Sequence, residues 1–113
     1  TTGCVTERHL RPLRRGGVFV TVGRGAVVDE AALLRVAQEG RIQIGLDVFT
    51  VEPLPVDSPF RGLKNVTLTP HLAGPTTDRR RDAGQFSLAN LRAYSAGDHL
   101  QAVVDLRAFD SST

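Results

Sequence analysis

At 113 residues, with 41% hydrophobic and 23% charged residues, the chain has the length and composition of one modest globular domain. No apolar run approaches the roughly 20 residues that span a bilayer, and no basic-then-apolar leader opens the sequence, so a soluble cytoplasmic protein without a membrane partner is the expectation. The net charge of +2 is small, and arginine supplies it almost alone, with Lys64 the single lysine. A pI near 9.3 is therefore no argument for nucleic acid. Cys4, the only cysteine, can form no internal disulfide and has no second Cys or His at zinc spacing, so no metal site is expected.

Taken in order, Thr6 to Arg11 reads as a short helix capped by Thr6 and ended by Pro12 and the Gly16-Gly17 turn. Val18-Phe19-Val20-Thr21-Val22 is a nearly unbroken apolar, β-branched run, the pattern of a strand buried on both faces of a parallel sheet. Gly23-Arg24-Gly25 interrupts it. Asp29 then caps a helix, with Glu30 in the first turn complementing the dipole. Leu33, Leu34, Val36 and Ala37 form its core stripe, and Gly40 closes it. Ile42 to Val48 is the next strand. Strand, helix and strand with short joins make a βαβ unit, which brings Arg24 and Asp47 to one edge of the sheet.

Thr50 to Gly62 carries Pro53, Pro55 and Pro59 and reads as a stiff loop, with one helical turn at Ser58 to Arg61. Val66-Thr67-Leu68-Thr69 alternates as a short buried strand. Pro70 stops it, lacking an amide proton and forcing Thr69 extended, so that His71 emerges beyond the strand's carboxyl end. Ligands bind at that edge of open α/β sheets. Beyond it, Thr77 or Asp78 caps a long helix to about Ala96, with Phe86, Leu88, Leu91, Tyr94 and Ser95 on a semi-apolar side and Gly97 ending it. Val103-Val104 suggests a last short strand, and Asp110 to Thr113 a fraying tail. Arg79-Arg80-Arg81 reads as a solvated helix face partnered by Asp78 and Asp82, since the aromatic residues that nucleic-acid binding interleaves are missing.

Singly, the polar residues of the edge have ordinary explanations: a turn arginine, a loop glutamate, a structural histidine. Together Arg24, Glu52 and His71 suit one chemistry. Arginine offers a planar fork to a carboxylate, and histidine exchanges a proton near neutral pH. A neighbouring glutamate favours the charged imidazolium and orients its ring. An anchored carboxylate beside a protonated carbonyl is what reduction of a 2-oxo acid needs. The hydride must come from elsewhere, and a nicotinamide supplies one.

Gly23-Arg24-Gly25, Val28-Asp29-Glu30-Ala31-Ala32-Leu33, Gly40-Arg41-Ile42, Leu46-Asp47-Val48-Phe49, Glu52-Pro53-Leu54 and Thr69-Pro70-His71-Leu72-Ala73-Gly74 together resemble the D-isomer-specific 2-hydroxyacid dehydrogenases, over about Gly16 to Ala96. The resemblance implies an α/β fold, the parallel-sheet portion of a Rossmann-like NAD(P)-binding domain followed by a connecting helix. It implies that Arg24 binds the substrate carboxylate and 2-oxo group, that Glu52 pairs with His71, and that His71 donates or accepts the proton. NAD or NADP would lie against Val22, Gly23, Arg24, Asp47, His71, Leu72, Ala73 and Gly74, with Asp47 on the nicotinamide carboxamide. The substrate would be a small 2-hydroxy or 2-oxo acid, and the parent protein a homodimer. Residues 1–76 would be the C-terminal half of the nucleotide-binding domain, and residues 77–113 a helix and tail returning toward a substrate domain.

Thr21, Gly23 and Pro75 depart from the family's usual residues without removing a catalytic group. The Gly-x-Gly-x-x-Gly turn that cradles the pyrophosphate is not in the sequence, since Val28 stands where the third glycine of Gly23-Arg24-Gly25 belongs. The chain is therefore expected to be a C-terminal portion of a dehydrogenase, inactive alone, with an apolar strand edge left uncovered. The rival reading is a non-catalytic remnant that dimerises or binds a partner and keeps the motifs by descent.

Overall fold

A computed structural model describes residues 1–111. The chain divides into two compact units, one spanning Thr1–Gly74 and a second beginning at Pro75.

The first unit is built on three parallel strands in the order β1-β2-β3: β1 Val18–Thr21, β2 Gln43–Leu46 and β3 Val66–Leu68. Val18 pairs with Gln43 and Thr21 with Leu46, while Ile44 pairs with Val66 and Leu46 with Leu68. Helix α1 (Glu7–Leu10) precedes the sheet and α2 (Glu30–Gln38) crosses from β1 to β2. This is the anticipated βαβ unit. Asp29 caps α2 by accepting the Ala32 amide at 2.9 Å. Gly40, at φ 63°, takes the left-handed turn that ends the helix.

The core gathers Leu10, Leu33, Val36, Ala37, Ile42, Ile44, Leu46, Phe49 and Phe60, with Val36 and Ile42 fully buried. Each such aliphatic chain removed from water stabilises the fold by about 1.5–3 kcal/mol. Asn65 ties the layers together, its side-chain amide donating to the Ala37 and Ile42 carbonyls at 2.9 Å. The Arg41 guanidinium closes the C-terminal end of α1, donating to the carbonyls of Leu10, Arg11 and Leu13. At the other end of α1 the Thr6 amide donates to His9 Nδ1 at 3.1 Å, so His9 is a capping residue.

Two burial expectations change. β1 is not sandwiched: Val18, Val20 and Val22 are 64%, 60% and 52% exposed. Within the described residues β1 is an edge strand and α2 packs on one side only, so the second apolar face has no cover. β3 is half-buried rather than buried, because it forms the opposite edge.

The second unit holds α3 (Arg80–Ala96) and α4 (Leu106–Ser111). α3 begins later than the Thr77 or Asp78 cap would set it. The Thr76 carbonyl accepts the amides of both Arg79 and Arg80, and Arg79 becomes the N-cap residue without a capping side chain. Gly97 ends the helix in the left-handed conformation at φ 75°, as its position suggests. Val103-Val104 is not a strand. Asn90 takes both the amide and the carbonyl of Gln101, and Asp105 then accepts the Ala108 amide to start α4. Asp110 and Ser111 lie in that helix rather than in a tail; Ser112 and Thr113 fall outside the described residues. Arg79 pairs with Asp82 at 2.9 Å on an exposed face.

Candidate active site

The carboxyl ends of the three strands share an edge, and the sequence beyond each supplies one part of the site. After β1 the chain turns at Gly23-Arg24-Gly25. Gly25 is buried against the next loop so closely that a Cβ would lie 2.1 Å from the Phe49 carbonyl carbon, so only glycine fits. This contact seats the arginine turn beside the Phe49–Glu52 loop. The same loop is fixed by Glu30, whose carboxylate accepts the Thr50 amide at 2.7 Å.

β2 delivers Asp47, 3% exposed. Its Oδ1 accepts the Thr69 hydroxyl at 2.5 Å and the Leu72 amide at 2.8 Å; its Oδ2 accepts the Ala73 amide at 2.8 Å. The Asp47 carbonyl accepts the His71 amide at 2.9 Å. These donors, led by the Thr69 hydroxyl, hold its carboxyl below the usual range although burial opposes them.

Glu52 lies in the loop after β2, followed by a cis peptide to Pro53. Its Oε1 accepts the Phe49 amide at 2.9 Å and its Oε2 lies 2.7 Å from His71 Nδ1. The bond to His71, then that to Phe49, lowers the Glu52 carboxyl, with the Arg24 charge a smaller contribution. The two side chains are 35% and 44% exposed, accessible to a ligand yet paired. With Nδ1–H directed at the carboxylate, Nε2 is the nitrogen left to exchange a proton.

Glu52 and His71 form the polar wall of an open cleft of about 610 Å³, whose other walls are Phe49, Pro53, Leu54, Arg61, Leu68, Thr69 and Pro70. Of the residues singled out in the sequence, Arg24 lies outside this lining, its Nη1 turned back onto the Gly23 carbonyl at 2.9 Å. Val22, Gly23, Leu72, Ala73 and Gly74 are exposed along the same edge. The Leu72 and Ala73 amides are engaged by Asp47. Thr69 and Arg61 were not legible as site residues. Thr69 had a signal, a hydroxyl one residue before the strand-ending proline. Arg61 had none, because its place in the cleft comes from folding back onto the Leu54 and Pro55 carbonyls.

The residues fit a nicotinamide. A carboxylate offers about four acceptor positions, and Asp47 uses three, leaving one on Oδ2 for a carboxamide N–H. Among the described residues no three His, Cys, Asp or Glu side chains are grouped to hold a metal.

Three parallel strands with a crossover helix and a paired histidine and glutamate at the carboxyl edge give the layout of part of a Rossmann-like domain. Residues 1–73 match the family described as D-isomer specific 2-hydroxyacid dehydrogenase, NAD binding domain, and the chain belongs to that family. It is 41% identical over 95 residues to glyoxylate/hydroxypyruvate reductase B of Pectobacterium carotovorum, covering 83% of this chain and 30% of that protein. It is 39% identical over 95 residues to the glyoxylate reductase of Korarchaeum cryptofilum, covering 83% and 29%. The chain thus spans about 30% of the length of these relatives. Among solved structures, a D-isomer specific 2-hydroxyacid dehydrogenase from Xanthobacter autotrophicus, in complex with NADPH and MES, superposes with a TM-score of 0.81 at 44% identity, over 95% of this chain and 44% of that one. An NADPH-dependent glyoxylate/hydroxypyruvate reductase from Sinorhizobium meliloti, in complex with NADP and sulfate, gives 0.80 at 32% identity, over 96% and 35%. The Rossmann-like α/β class and the dehydrogenase family read from the sequence are both borne out.

Proposed function

We propose that this chain carries the proton-handling part of an NAD(P)-dependent D-2-hydroxyacid dehydrogenase. The reaction is reduction of a small 2-oxo acid, with glyoxylate and hydroxypyruvate the first candidates, or oxidation of the corresponding D-2-hydroxy acid. The observation that carries this reading is the 2.7 Å His71–Glu52 pair at the carboxyl edge of the sheet. In reduction the protonated imidazole gives its Nε2 proton to the carbonyl oxygen, and Glu52 stabilises the imidazolium beforehand and holds the ring in place. In oxidation the neutral imidazole takes the hydroxyl proton. Arg24 anchors the substrate carboxylate once its guanidinium swings from the Gly23 carbonyl. Val22, Gly23, Asp47 and the backbone of Leu72 to Gly74 would hold a nicotinamide, which would supply the hydride.

The parent would act as a homodimer, and the segment from residue 77 would lead into a substrate domain. An exposed, unpaired Cys4 suits a reducing compartment, so we place the reaction in the cytoplasm. No described helix is long and apolar enough to cross a membrane.

The test is oxidation of NADPH and NADH with glyoxylate or hydroxypyruvate, by the native polypeptide and its His71→Asn variant. Removing a general acid costs about 10²–10⁴-fold. Turnover that survives the substitution within tenfold would sink the assignment.

A further inference from the structure

We propose that Asp47 is the positioning residue of the proton-handling pair, its carboxylate fixing the turn that carries His71. This role rests on the reading of Glu52 and His71 as that pair. Four hydrogen bonds accepted by one residue bracket the histidine. Before it, the Thr69 hydroxyl reaches Oδ1; at it, the His71 amide reaches the Asp47 carbonyl; after it, the Leu72 and Ala73 amides reach the two carboxylate oxygens.

The turn needs such a clamp. His71 sits at φ 54°, a left-handed conformation that costs energy for any residue with a Cβ. Apart from the Glu52 bond to the ring, the neighbouring side chains give little restraint, since Thr69, Pro70, Leu72 and Ala73 are all exposed. Asp47, by contrast, is buried at the end of the central strand, whose register is set by pairing on both sides.

Glu52 is anchored separately, through the Phe49 amide. Loosening the clamp would therefore move the imidazole and leave its carboxylate partner in place. The clamp also needs a carboxylate rather than an amide. Three donors converge on it, and an asparagine would turn its own NH₂ toward at least one of them.

The experiment is a nitrogen–proton correlation of the imidazoles in the full 113-residue chain, with amide exchange read alongside. In the wild type His71 holds a single neutral tautomer with the proton on Nδ1. In Asp47→Asn the two neutral tautomers mix, and Leu72 and Ala73 amides exchange about tenfold faster while β1 and β2 amides keep their protection. If Asp47→Asn fails to fold, Thr69→Val removes one bond and leaves Asp47 intact; it mixes the tautomers, and Thr69→Ser restores the single form. A single His71 tautomer retained in Asp47→Asn, or in Thr69→Val where that variant decides, overturns the proposal. The readout is the tautomer and not turnover, so the clamp is tested separately from the reductase reading, which turnover of the native polypeptide tests.

Discussion

His71 Nδ1 and Glu52 Oε2 stand 2.7 Å apart although 18 residues and a proline-rich loop separate them. The loop closes because its two ends are fixed independently, Glu52 on the Phe49 amide and His71 on Asp47. Exchange of Glu52 for glutamine keeps the size and one acceptor oxygen but removes the charge that favours the imidazolium. Glu52→Gln should lower the turnover number about 100-fold with little change in KM, measured by steady-state reduction of glyoxylate by the native polypeptide. An unchanged turnover number would mean that the pairing is structural.

The same two carboxylates make stability depend on acid. Glu52 and Asp47 both have folded-state pKa values lowered from ordinary values of 4.5 and 3.8. A lowered pKa means the unfolded chain binds the proton more readily, so the contribution is complete above those values and drains as pH falls through the folded ones. Urea midpoints should therefore fall as the pH drops below about 4.5. In Glu52→Gln the upper part of that fall should flatten. A midpoint that does not fall below about pH 4.5 would contradict the assignment of both groups.

Gly25 is the position where the backbone leaves least room. A methyl group there would enter the Phe49 carbonyl, with backbone rather than a flexible side chain in the way. Gly25→Ala should destabilise the first unit by about 3 kcal/mol, at the upper end of overpacking costs. Gly23→Ala, where nothing lies within 4 Å, should cost far less. Paired thermal melts of the two variants check the contrast, and equal melting temperatures would refute it.

Asp29 offers a milder and separate test. Its side chain satisfies one of the free amides at the start of α2, and Asp29→Ala should cost about 1 kcal/mol. Asp29→Ser should recover most of that in the same urea titration.

Local signals carried most of the fold. The cap at Asp29, the stripe Leu33-Val36-Ala37, Gly40 and Pro70 each act on their own neighbours, so each was legible along the chain. The Glu52–His71 pairing was legible because the family motifs place the two residues in register. Burial was not, since Val18-Phe19-Val20 has the composition of a central strand whether or not a neighbour covers it. The Asp47 clamp was hidden too. Its partners are mostly backbone amides 25 and 26 residues away, and amides have no identity in a sequence. Val103-Val104 failed for a related reason, because a β-branched pair makes a strand only beside another strand, and Asn90 had already taken the Gln101 backbone.

The uncovered face of β1 has its own consequence. Val18 and Val20 point to the same side and are more than half exposed, on a strand whose outer edge has no partner among the described residues. Unpaired amides and carbonyls beside exposed valines form a template for a second strand. The isolated chain should therefore self-associate as its concentration rises, and a charge on that face should oppose the docking of a second copy. Val20→Lys keeps a long aliphatic stem over Gly45, whose Cβ position lies 3.4 Å from a Val20 methyl, so the fold should lose little. Sedimentation velocity across a concentration series should show larger species for the wild type and a monomer for Val20→Lys, at melting temperatures within a few degrees. Equal association of the two proteins would move the sticky surface away from β1, and a monomeric wild type would remove it altogether.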